Sequence, residues 1–447
     1  MKKKSLLAAS IIALAGNAFA GGYLTNTNQS IYFLRNPARD ASIGIDGVYY
    51  NPAGAAFYNE GFHIQFNWQN AHQKRDSYAQ YGQLFALISD DRTNKLDFGR
   101  EYTGRVDVPI QPSLFALYNT GDWSFQFGFG FIGGGGACEY EHGVGQFDAL
   151  VGSMGMKSFA QLGYPFGGYS LNPYVKGTQY FMGFTLAAAR KLTENLSLSL
   201  GVRGIYETAK YEGSIKDIKF MVAGLNQEVP NPNGDYILDC SQKGFGIAPI
   251  IGLDWKAAEW VNIAAKFEFK TKIDAKTDAN NNDAFNALAG TNPAFTKFTD
   301  GAEEPLDAPS IATIGAQFTP MEKLRLDVGY HIYFDMDTRQ WTKDMVGNTN
   351  EILFGAEYDI NEMFEVSAGF QKTMPDQTDS NLSDMSFSLP SYSYGFGVGV
   401  RLSPSVKLNV AYFRTVYEDY TKTVPDVSVT TYSRTNYVIG AGIDISF

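Results

Sequence analysis

Two basic residues sit where a charge-neutralising role would need them. Arg203 and Lys266 fall on the small or polar phase of segments whose alternate residues are apolar, and both lie well away from the nearest turn. A carboxylate entering a low-dielectric interior needs a cation or several donors to offset its lost hydration, so this pair could hold an acidic head group. Glu207, Asp254, Glu268 and Asp327 share that phase, and an internal charge network is the alternative reading of both cations. Arg325, Arg401 and Lys407 are also in phase but sit beside turns. The histidines are His63, His72, His142 and His331. His331 is in phase with Asp327, but no serine or second carboxylate completes a nucleophile and base, so no catalytic residue is expected. The run Asp278 to Asp283 lacks the spacing of a calcium loop and reads as a solvated surface, so neither a metal nor a cofactor is expected.

These residues must be held by strands. Six tight turns alternate with long connections: Asn119 to Asp122, Leu192 to Asn195, Lys256 to Glu259, Thr319 to Glu322, Asp359 to Glu362 and Ser403 to Ser405. Asn, Asp, Gly, Pro and Ser reverse a strand at low backbone cost. Between them, Trp123, Phe125, Phe127, Phe129 and Phe131 alternate with Ser124, Gln126, Gly128 and Gly130, and Leu196, Leu198, Leu200 and Val202 alternate with Ser197, Ser199, Gly201 and Arg203. Tyr392 to Val400 and Tyr437 to Phe447 repeat the pattern, and the chain ends on an aromatic. Large apolar residues outward on nearly every strand argue against a soluble sandwich. The expected fold is all-β: a fourteen-stranded antiparallel transmembrane β-barrel, with its short turns facing the periplasm. The strands are expected near 60–70, 110–118, 122–132, 178–191, 195–207, 244–255, 260–271, 309–318, 323–334, 350–360, 364–373, 391–402, 405–417 and 432–447.

Residues 1–20 read as a secretory signal, with Lys2, Lys3 and Lys4, the apolar run Leu6 to Ala15, and the cleavage site Ala18-Phe19-Ala20. The mature chain then begins at Gly21, and no later apolar run is long enough for a spanning helix. Removing three lysines from 36 basic residues leaves 33 against 47 acidic ones, a net charge of -14, which opposes nucleic acid as a partner. Cys138 and Cys240, the only cysteines, fall in expected extracellular loops after passage through an oxidising compartment. A disulfide between them is plausible if their Cβ atoms approach.

Residues 21–59 do not alternate and are too apolar for a free tail, whereas a barrel of this size leaks unless its lumen is filled. Their simplest home is inside the lumen, with residues 60–447 forming the wall. This segment ends in Asn51-Pro52-Ala53-Gly54, preceded by Asp40 to Gly47. The motif, its place before the first strand, the signal, the strand count and the terminal Phe resemble the FadL/TodX family over the whole chain. Val48-Tyr49-Tyr50 departs from the small-residue approach usual there.

The resemblance implies a monomer of the bacterial outer membrane, in contact with lipid and lipopolysaccharide. It also implies passive uptake of long-chain fatty acids or other hydrophobic small molecules, through loop capture, lumen binding, movement of an N-terminal hatch, and sideways exit at strand three. Phe147, Leu150, Met154 and Phe159 lie in the connection after that strand; they would make a capture surface, or a loop packed on itself, and the spacing of Phe147, Leu150, Val151 and Met154 suits a short helix. Gly128, Gly130, Gly133 and Gly134 would weaken the wall for exit, while inward glycines could equally leave room for the hatch. The rival readings are a FadL-like shuttle for type IX protein secretion and a general porin.

Overall fold

The computed structural model describes residues 25–87, 98–225, 227–342, 344–376, 378–380, 382–425 and 427–447. The expected signal, and the start of the mature chain at Gly21, lie outside the described residues. Fourteen antiparallel strands close into a barrel. They are β1 (Gly61–Gln80), β2 (Gly99–Thr120), β3 (Trp123–Tyr140), β4 (Phe166–Lys191), β5 (Leu196–Val222), β6 (Tyr236–Ala258), β7 (Val261–Glu268), β8 (Ile311–Met321), β9 (Leu324–Tyr333), β10 (Thr349–Asp359), β11 (Phe364–Met374), β12 (Ser391–Ser403), β13 (Val406–Tyr417) and β14 (Ser428–Ser446). Closure comes from β1 against β14, in register from His63 opposite Ser446 to Gln80 opposite Val429. The Phe447 N–H then donates to the Phe62 carbonyl at 2.9 Å. Four short strands, Glu228–Pro230, Asp274–Ala279, Glu303–Pro305 and Tyr420–Val424, pair at the loop end.

Alternation sets the two faces. Phe66, Phe125, Leu200, Ile247, Phe396, Val410 and Ile439 are exposed on the outside, whereas Gln65, Ser124, Ser199, Ser393 and Asn409 are buried inside. An apolar band running round a closed sheet is solvated by lipid rather than water, which makes this an outer-membrane barrel. All fourteen expected strands are present, but β1 to β6 run well past their expected loop ends. Above the lipid the outer face turns polar, as at Lys210 and Lys243, while the inner face stays buried, so apolar alternation no longer reports the strand.

Residues 25–58 fill the interior. Helices α1 (Ile31–Arg35) and α2 (Gly47–Tyr50) and a 3-10 turn at Gly54–Phe57 carry them across it, with nearly every side chain buried. Ser30 caps α1, its hydroxyl accepting from the Tyr32 N–H at 2.9 Å. At the loop end, α3 (Gly145–Leu162) and α4 (Asp283–Thr291) cover the barrel mouth.

Candidate functional site

The Asn51-Pro52-Ala53-Gly54 element is fixed by wall residues on two strands. The Asn51 amide donates to Asp254 Oδ2 of β6 at 2.5 Å, and its oxygen accepts the Gly54 N–H at 2.9 Å. From β3, Gln126 donates to the Pro52 carbonyl at 2.7 Å. A Cβ on Gly54 would overlap the Asn51 amide and stand 2.7 Å from Asp254 Oδ2, so the turn admits no side chain there. Asn36 donates to Asp327 at 2.7 Å, Arg39 pairs with Glu357 at 3.0 Å, and Asp40 bonds His331 Nε2 at 2.9 Å, its Nδ1 lying 3.1 Å from Glu351. Nearer the short turns a polar cavity of about 420 Å³ separates the segment from the wall. Along it Arg325 bridges Asp359 at 2.6 Å and Glu365 at 3.0 Å, and Lys407 holds Glu365 at 3.1 Å.

The structure brings Arg203 and Lys266 together around Tyr49. Arg203 donates to Glu268 at 2.5 Å and to the Thr185 hydroxyl at 2.9 Å, with its guanidinium 4.6 Å from the centre of the Tyr49 ring. Lys266 donates to the Tyr49 carbonyl at 2.7 Å, its ammonium 4.9 Å from the same ring. Tyr49, one of the three residues that depart from the small-residue pattern, is therefore the cations' shared partner. Arg203 Nη2, with its two N–H groups, makes no hydrogen bond among the described residues. Glu207, two inward positions above Arg203, receives one bond, from Gln179 at 3.1 Å, and its Oε2 has no partner.

The wall is discontinuous between β2 and β3. These strands pair from Thr120 opposite Trp123 to Leu114 opposite Phe129, and again at Val106 opposite Cys138, leaving 107–113 and 130–137 unpaired. Pro109 and Pro112 remove two donors from β2. On β3, Gly134, Gly135 and Gly136 take φ of 74°, 154° and 92°, and the register with β4 slips at Phe131/Gly133 and Gly134/Gly136. The N-terminal segment lies behind this break. The Asn26 N–H donates to the Ile132 carbonyl at 2.6 Å, Gln29 donates to the Phe131 carbonyl at 2.7 Å, and Ser113 of β2 donates to the Gln29 carbonyl at 2.5 Å. The four glycines divide. Gly130, Gly133 and Gly134 lie within the break and Gly128 below it; a Cβ on Gly128 would meet Val48 at 3.0 Å and one on Gly130 would overlap the Gln29 side chain. Asn26, Gln29 and Ser113 escaped the sequence reading, since nothing local marks a residue whose partner is a hundred positions away.

At the barrel mouth α3 is much longer than its spacing suggested. Phe147 and Leu150 line a small apolar cavity with Phe285, Leu288, Phe295 and Phe298. Met154 is partly buried, and Phe159 packs between Phe166 and Phe220 with ring centres at 5.2 and 6.2 Å. The cavity holds only about 30 Å³, so a ligand must displace side chains to enter.

The possible bridge between Cys138 and Cys240 is not formed: both thiols are free and buried. They lie on strands rather than in loops, Cys138 on β3 and Cys240 on β6, with β4 and β5 between. Three interstrand steps of about 4.8 Å put them well beyond the 7 Å that a disulfide tolerates.

No family model matches the chain, and no curated protein matches it in sequence. Its fold is shared with a Pseudomonas aeruginosa FadL homologue at TM-score 0.67 and 12% identity, covering 96% of this chain and 100% of that one. It is also shared with the Pseudomonas putida toluene transporter TodX at 0.58 and 13%, covering 96% and 99%, and with the Ralstonia pickettii toluene transporter TbuX at 0.55 and 13%, covering 93% and 100%. The chain thus has the FadL-type barrel fold.

Proposed function

We propose that this protein takes up hydrophobic compounds passively across the outer membrane, releasing them sideways through its wall. The observation that carries the reading is the β2–β3 break, backed by three hydrogen bonds from Asn26, Gln29 and Ser113. Within lipid, unpaired strand backbone needs other partners, and here part of that need is met by a separate segment that can move. Ser113 stands seven residues from the turn end of β2, which at ordinary rise and tilt is roughly 18 Å of height, inside an apolar band about 25 Å tall. A molecule leaving there enters hydrocarbon directly. A filled lumen opposes the general porin, because a polar solute has no open bore to follow. In this reading α3 and α4 capture the hydrophobe over Phe147 and Leu150, residues 25–58 act as the hatch, and their shift uncovers the break. The FadL and toluene-transporter likenesses support the substrate class.

A reversible lock tests the exit. An ideal Cβ on Gly130 stands 3.5 Å from the Ser113 Cβ, within disulfide range. Ser113→Cys with Gly130→Cys, in a background carrying Cys138→Ala and Cys240→Ala, is compared oxidised and reduced for cellular uptake of radiolabelled hexadecane and hexadecanoate. Uptake should fall on oxidation and return with reductant. Equal uptake in the two states would sink the lateral route.

A further inference from the structure

We infer that the lumen path carries a head-group site built on Glu207 and Gln179, which selects hydrophobes bearing a hydrogen-bond donor and disfavours carboxylates. The inference rests on the uptake reading above. The inward file of β5 runs from Arg203 through Ile205, Glu207, Ala209 and Tyr211 to Gly213 and Ile215, every side chain in it from Arg203 to Tyr211 being buried. Gly213 and Ile215 line the apolar cavity under the loop helices, and Arg203 touches Tyr49 of the N-terminal segment. At about 3.3 Å per residue, Glu207 lies roughly 20 Å along the strand from the cavity and roughly 13 Å along it from Arg203. A molecule moving down the inward side chains of β5 therefore meets Glu207 before Arg203.

Glu207 is fully buried and, among the described residues, has no ion pair. Its register neighbours are Phe181 and Gly244, and Ile273 packs over Gly244. Two acceptor atoms here are without donors, Glu207 Oε2 and Gln179 Oε1. A buried acceptor without a donor is costly, and a donor brought by the ligand removes that cost. An alcohol supplies an O–H and an apolar tail that suits the surrounding Ile and Phe side chains. A carboxylate supplies only lone pairs, so it leaves both acceptors without a donor. Arg203 does not reverse the balance, because Glu268 neutralises it.

The test uses the purified full-length protein, native mass spectrometry, and three probes of equal chain length: dodecanol, dodecane and dodecanoate. Dodecanol should be retained about tenfold more than dodecanoate, the scale of one hydrogen bond. Glu207→Leu should bring dodecanol down to the level of dodecane, and the near-isosteric Glu207→Gln should raise dodecanoate retention, with heat-modifiable gel mobility confirming that each barrel is folded. Preference for dodecanoate in the parent protein, lost with Arg203→Gln, would assign the head group to Arg203 Nη2 and overturn the inference. Equal retention of all three probes, unchanged in both Glu207 variants, would overturn the inference alone. Retention of none would overturn the uptake reading together with it.

Discussion

Gln29 donates its side-chain amide to the Phe131 carbonyl at 2.7 Å, joining the filling segment of the lumen to the unpaired edge of β3. The opposite lip reaches the same residue, since Ser113 of β2 donates to the Gln29 carbonyl. One residue therefore ties both sides of the break, and a change there acts on the exit before it acts on the barrel.

Gln29→Ala removes the side-chain bonds to the Phe131 and Asn26 carbonyls and leaves the strand pairs intact. The expected loss is local, about 1 kcal/mol for each neutral hydrogen bond. Amide exchange should quicken at residues 26–32 and near Phe131, with unchanged protection on β9 to β12, and hydrophobe uptake should rise. Uniform loosening of the barrel would contradict a local gate.

Gly54→Ala is expected to damage the segment's seat. Its Cβ would collide with the Asn51 amide and crowd Asp254, both already bonded to each other. Overpacking of this kind costs typically 1–3 kcal/mol. Limited proteolysis should cut within residues 25–58 in the variant while the barrel still migrates as a folded band, and unchanged protease resistance would show that the turn can yield.

The strand count and the turns were legible because a lipid-facing wall forces apolar residues outward at every second position, from Phe125 to Ile439. The upper halves of β1 to β6 were not, since water outside and packing inside invert that contrast. The glycine run at 133–136 announced a weak wall and Asn51 to Gly54 a seated turn. Phase and distance from the turns singled out Arg203 and Lys266, but phase places a side chain in the lumen without naming its partner. Tyr49 supplies that partner from a segment whose path no periodicity describes. The cysteines misled for a related reason, because expected loop positions proved to be strand positions with a fixed lateral separation.

Arg203 and Glu268 form a buried pair at 2.5 Å, and truncating one member strands the other. Arg203→Gln or Glu268→Gln alone should destabilise by about 3 kcal/mol, and the double variant by clearly less than the sum. Thermal unfolding of the four proteins measures the coupling. Strict additivity would mean that each residue answers mainly to something else.

The loop end should respond to pH through Asp384, which lies in the connection between β11 and β12. Its Oδ2 accepts the Gln146 N–H at the start of α3 at 2.9 Å, and Tyr432 donates to its Oδ1 at 3.2 Å. Burial pushes this carboxyl up from about 3.8 to about 6, despite those bonds and the Lys422 ammonium nearby, and Asp148 of α3 adds a further push upward. The folded state thus holds the proton more tightly than the unfolded chain does. The stability this contributes is complete below about pH 3.8 and is lost as pH rises through about 6. Amide exchange in α3 should therefore be slower, after correction for intrinsic rates, at pH 4.5 than at pH 7.5. Asp384→Asn, which keeps an acceptor without the charge, should make the two values converge. If the difference between the two pH values survives in that variant, Asp384 is not its source.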